Sequence, residues 1–132
     1  MNVLDANIPI PERVKLRGLR IRCRRIGDEL ATQDTDDSAI LPLLHALGRA
    51  TFFTRDRDFW RAELCHPRYC LVFLDVPVRE LANYIRRFLR HPVFNTTARR
   101  LGCVVRVHAE CMSVHRNPRG RQPANVGWLQ TV

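Results

Sequence analysis

Apolar and polar residues alternate along the chain with a period that changes several times. Val3-Leu4 is a short apolar run that ends at Asp5-Ala6-Asn7, and Ile8-Pro9-Ile10-Pro11 follows. The pattern predicts a strand, a loop and a brief helix with proline in its first turn, ended by Gly18. Leu19-Arg20-Ile21-Arg22-Cys23-Arg24 then alternates apolar with basic, the period of a half-exposed strand closed by Gly27. After an acidic loop over 28–37, Ile40, Leu41, Leu43, Leu44 and Leu47 fall at three-and-four spacing. That spacing marks an apolar helix face, with Thr35, Asp36 or Ser38 as candidate caps. Pro42 fits only near the first turn, which favours Ser38 as the cap or else predicts a bend.

The runs at 50–54 (ATFFT) and 70–74 (CLVFL) are continuously apolar, as expected of strands covered on both faces by helices. Pro77 opens the clearest helix, with Leu81, Tyr84, Ile85, Phe88 and Leu89 on one face and Arg79, Arg86, Arg87 and Arg90 on another, stopping before Pro92. A short helix over 97–101 and a Val-rich run over 103–114, turning near Ala109-Glu110, complete a domain spanning 1–116. Residues 117–132 are polar, basic and broken by proline and glycine, and read as a tail with Trp128 as an anchor. Strands alternating with helices predict an α/β fold, a three-layer sandwich with a mostly parallel central sheet.

At 132 residues the chain suits one domain. No apolar run is long enough to cross a bilayer, and Asp5 interrupts the amino end before a signal-peptide core forms, so a cytoplasmic protein with no membrane partner is expected. The net charge is +9 and the sequence pI about 10.6, values that attract polyanions such as RNA. All but one of the 22 basic residues are arginine, Lys15 being the exception, and a GC-rich coding sequence gives the same skew. The five cysteines, 23, 65, 70, 103 and 111, form no C-x-x-C pair and read as free thiols. Cys103, His108, Cys111 and His115 are zinc-ligand types, but strand alternation divides them between two faces.

Open parallel sheets bind ligands outside the carboxyl ends of their strands. Those ends carry Asp5 after the first strand and Asp56 after the third, with Asp58 close behind and Asp36 or Asp37 at the start of the second long helix. Carboxylates gathered at one edge raise each other's pKa, and a divalent cation relieves the conflict. Oxygen-only ligation suits Mg²⁺ or Mn²⁺ and metal-assisted phosphodiester hydrolysis. Taken singly, each aspartate also reads as a turn former, a helix cap or an arginine's partner.

LDANIPIP, DTDDSAIL and FFTRDRDFW together resemble the PIN-like nuclease domains, in particular a small bacterial group with Asp-Glu-Asn-Leu-Pro, Ser-Asp-Glu-x-Ile and Thr-Asn-Asp-Lys-Asp-Phe motifs. The matches fall in order over residues 3–60. The resemblance implies a metal-dependent ribonuclease fold related to the toxins of toxin–antitoxin pairs, with RNA as substrate and an antitoxin protein or a homodimer as partners. Carried over, Asp5, Asp37, Asp56 and Asp58 become catalytic metal ligands, Asp36 replaces Asp37 if the helix starts earlier, and Asn7 and Thr54 orient the carboxylates. Arg55 and Arg57 approach the phosphate, and Arg86, Arg87, Arg90, Arg99 and Arg100 with the tail hold the backbone. Ala6 stands where the group has Glu and Arg55 where it has Asn. A catalytically inactive PIN-like module binding RNA or a protein partner is the alternative these departures leave.

Overall fold

The computed structural model describes residues 1–27 and 37–128, Asp37 by its backbone alone. The acidic segment over 28–36, with Thr35 and Asp36, and residues 129–132 of the expected tail lie outside the described residues, as does the Asp37 side chain.

Strand β1 (Asn2–Leu4) leads through a loop into helix α1 (Ile10–Gly18), followed by β2 (Arg24–Arg25), α2 (Asp37–Leu47) and β3 (Ala50–Thr54). Two 3-10 turns, Arg57–Phe59 and Ala62–Leu64, connect β3 to β4 (Tyr69–Leu74). A further turn, Val78–Glu80, opens α3 (Leu81–Arg90), and α4 (Thr97–Arg100), β5 (Val104–Val107), β6 (Cys111–His115) and β7 (Ala124–Gly127) follow. These seven strands make one sheet in the order β2-β1-β3-β4-β5-β6-β7. The first five are parallel to their neighbours, and β6 and β7 extend the sheet antiparallel.

Helices flank the sheet, and strand periodicity decides which core each residue enters. Leu4, Phe53, Val72 and Val105 join the cluster containing Leu16 of α1 and Leu81, Ile85 and Phe88 of α3. Their chain neighbours Val3, Phe52, Leu71 and Val104 join the cluster containing Ile40 and Leu44 of α2. All six residues of β4 are buried, because a strand with both faces covered offers water no side. The β5–β6 hairpin turns where the sequence predicts, with Val104 opposite His115 and Val107 opposite Met112.

One expectation holds with a change of detail, and three need correction. Gly18 is the last residue of α1, as expected, but it does not take the left-handed conformation. Arg20 takes that conformation two residues later, with φ 61°, while the Ile21 N–H returns to the Leu16 carbonyl, the closing bond of a Schellman turn. The expected strand over 19–24 shrinks to Arg24–Arg25, paired with Val3 and Leu4. Its alternation persists in burial, with Arg20, Arg22 and Arg24 exposed and Ile21 and Cys23 packed on the core. Ser38 lies inside α2, and so does Pro42. Lastly, 117–132 is not a tail throughout, because Ala124–Gly127 pairs with β6. The Trp128 indole N–H donates to the His108 carbonyl at 2.8 Å. Only Val126 of β7 packs on the core, and one apolar residue sets no period to read.

Candidate functional site

In the order 2-1-3-4-5 the chain leaves β1 in one direction across the sheet and β3 in the other. The crevice between their carboxyl ends is the topological switch point, where open α/β sheets place ligands. After β1 the chain enters the face carrying Ile8 and Leu16; after β3 it enters the face carrying Phe59 and Leu64. Asp5 and Asp56 stand at the opening between these diverging loops.

The Asp5 side chain is only 7% exposed. Its Oδ1 accepts from the Ala6 N–H at 2.7 Å and its Oδ2 from the Thr54 hydroxyl at 2.6 Å. The fully buried Thr54 Oγ1 in turn accepts the Asp56 N–H at 3.0 Å. Thr54 thus ties two strand ends into one polar unit. Burial pushes the Asp5 carboxyl above its usual pKa, the Thr54 and Ala6 hydrogen bonds pull it down, the Asp56 charge pushes it up, and Arg25 lowers it. Arg25 is fixed nearby by donating from Nη2 to the Ala6 carbonyl at 2.7 Å.

Asp56 Oδ1 accepts the Asp58 N–H at 2.9 Å, capping the first 3-10 turn. Asp58, Arg55 and Arg57 are exposed, and Asp58 is brought to Asp56 through its backbone. Asn7 holds Arg55 rather than a carboxylate: its Oδ1 accepts the Arg55 N–H at 3.3 Å and its carbonyl accepts from Arg55 Nη1. That pair stitches the β1 and β3 loops together across the crevice. Among the described residues no three His, Cys, Asp or Glu side chains form a group able to hold a metal ion.

The arginines expected to hold a polyanion separate. Arg86, Arg87 and Arg90 line a shallow hollow of about 380 Å³ with His91 and Trp128, and the Arg87 guanidinium lies 4.4 Å from the Trp128 ring centre. Arg99 donates to the Pro92 carbonyl. Arg100 is buried: it bonds Thr51 Oγ1 at 3.0 Å, the Phe94 carbonyl at 2.8 Å and Thr97 Oγ1 at 3.3 Å. The expectation that Arg100 grips a nucleic-acid backbone is therefore corrected, since its donors serve β3 and the α3–α4 loop. The residue missed is Arg25, legible as the second basic residue of a strand that must pair beside β1.

No family model matches the chain, and neither a curated protein nor a solved structure matches it. What the crevice can do rests on its own geometry.

Proposed function

We propose that the chain is a PIN-like ribonuclease domain, a three-layer sandwich whose switch-point carboxylates Asp5 and Asp56 bind Mg²⁺ or Mn²⁺ and hydrolyse RNA phosphodiester bonds. The observation that supports it is the Thr54 hydroxyl, 49 residues from Asp5 in sequence, joining the Asp5 carboxylate to the Asp56 backbone at one end of the sheet. Every donor atom there is a hard oxygen, which suits these cations. Each Asp5 oxygen spends one acceptor site internally and keeps another, and Asp56 Oδ2 accepts no hydrogen bond among the described residues. Mg²⁺ asks for only one or two carboxylates when water and phosphate complete its shell. When bound, such an ion neutralises phosphate charge and acidifies a water. Thr54 and the Ala6 N–H hold the Asp5 carboxylate in one orientation, and Asn7 holds Arg55 at the rim, where its guanidinium meets an approaching phosphate. Asp58 extends the acidic rim in this reading.

One observation favours a second reading, a non-catalytic module on the same scaffold. Asp56 caps a turn with Oδ1, an ordinary structural task for an aspartate.

Carboxyl NMR and RNA cleavage separate the two. A metal site lowers the raised Asp5 pKa when Mg²⁺ is added, because a cation favours the charged form, and Asp5→Asn abolishes metal-dependent cleavage. An Asp5 titration unmoved by Mg²⁺, with equal cleavage by wild type and Asp5→Asn, rejects the hydrolytic reading and leaves the scaffold.

A further inference from the structure

We infer that the cleft between α1 and the β2 edge of the sheet is a groove for the phosphodiester backbone of a single RNA strand. The groove goes beyond the reaction proposed above and takes from it only the choice of RNA.

Residues 13–25 carry Arg13, Lys15, Arg17, Arg20, Arg22, Arg24 and Arg25 with no acidic residue between them. The fold turns this stretch back on itself, α1 forming one wall and the chain entering β2 the other, around about 760 Å³. No acidic residue lines that space among the described residues. Arg17, Arg20, Arg22 and Arg24 are exposed, and among the described residues none of the four guanidiniums has a hydrogen bond or ion pair. Unpaired guanidiniums gathered on one concavity repel each other and favour an anion that joins them.

Three features select a nucleic-acid strand over a small anion. Leu16 is buried beneath the charges, and half-buried Ile21 lies beside it, an apolar floor for ribose and base. Residues two apart in extended chain are about 6.6 Å apart, so Arg22 and Arg24 repeat at a spacing of the same order as successive phosphates in a stretched strand. The groove also leads somewhere: Arg25, at one end of it, reaches the carbonyl next to Asp5. A polymer lying in the groove passes the crevice, which a free anion has no need to do.

The turn after α1 aims one of these side chains. Arg20 occupies the left-handed region with φ 61°, where glycine is the usual residue. The Schellman turn that closes α1 sets this conformation, and it places the Arg20 side chain in the lining of the groove.

The test is fluorescence anisotropy of a short labelled single-stranded RNA with the full chain in chelator, across a salt series. Joint replacement of Arg17, Arg20, Arg22 and Arg24 by Gln removes four phosphate contacts, worth a log–log salt slope of about 0.7 each. Wild-type affinity is therefore expected to fall about 50-fold more than the variant's between about 50 and 200 mM salt. The matching variant at Arg79, Arg86, Arg87 and Arg90 is expected to keep most of the wild-type slope. A reversed pattern, no RNA binding by the wild type, or equal competition by polyglutamate of matched charge overturns the groove. Should the fourfold variant not fold, Arg20→Gly alone decides, by losing about 0.7 of slope or none. Binding is read in chelator, so its absence rejects the groove only, while binding in chelator followed by no cleavage when Mg²⁺ is added in excess rejects hydrolysis only.

Discussion

Arg17, Arg20, Arg22 and Arg24 at the β2 edge and Arg87, Arg99 and Arg100 around α3 and α4 carry the same guanidinium, yet the fold treats them in opposite ways. Those of the second group are employed internally: Arg100 bonds Thr51, Phe94 and Thr97, Arg99 bonds the Pro92 carbonyl, and Arg87 lies against Tyr84 and Trp128. Those of the first group have no such partner among the described residues and share one concavity. A charge already satisfied inside the molecule contributes to stability, while one left facing others of its own sign contributes to binding. The charge per side chain, identical in both groups, makes no such distinction.

The sharpest way to break that comparison is at Arg100. Truncation to Ala strands the buried Thr51 hydroxyl and the Phe94 carbonyl and opens a void, so Arg100→Ala is expected to lose about 3 kcal/mol of stability. Urea denaturation reads this as a lower midpoint at unchanged slope. Arg17→Ala, on an exposed turn of α1, is expected to stay within about 0.5 kcal/mol of wild type. Equal losses at both positions would put Arg17 in the structural class and dissolve the distinction.

Which arginines were employed was not legible in the sequence, and the reason is physical. Guanidinium burial depends on carbonyls and hydroxyls brought from elsewhere: Thr51 lies 49 residues from Arg100, with no local period to announce it. Features with a period were readable. The continuous apolar runs became the fully buried strands β3 and β4, and the three-and-four spacing after Pro77 became α3 with Leu81, Ile85 and Phe88 buried. Gly18 marked the end of α1 correctly, while the left-handed residue two positions later, Arg20, carries no sequence signal for that conformation. β7 was hidden because it is held by backbone pairing and by Trp128. In the crevice, Asp5 and Asp56 were readable as residues following strands. The Thr54 hydroxyl was expected to orient carboxylates; that it also accepts the Asp56 N–H follows from the turn geometry after β3.

A smaller effect tests the other side of the comparison at Arg87. The guanidinium lies 5.0 Å from the Tyr84 ring centre and 4.4 Å from that of Trp128, so it fastens the end of β7 to α3. Arg87→Ala is expected to cost about 1 kcal/mol, the scale of a partly exposed cation–π contact. A double-mutant cycle with Trp128→Ala measures the coupling directly. Coupling near zero would release Arg87 from the structural class and make the α3 face a competing anion surface.

The smallest effect is the most discriminating, because its two readouts move in opposite directions. At Arg20 the left-handed backbone costs an L-residue about 1–2 kcal/mol, and glycine gives back part of that relief as chain entropy in the unfolded state. Arg20→Gly is therefore expected to gain about 0.5 kcal/mol in denaturation while losing RNA affinity. Arg49 supplies the control: it is exposed, has φ 57° just before β3, and does not line the groove. Arg49→Gly is expected to gain similar stability and leave the salt dependence of RNA binding unchanged. If Arg20→Gly instead destabilises the fold, its side chain has an internal task like that of Arg100, and the strain at φ 61° is owed to packing rather than to a ligand.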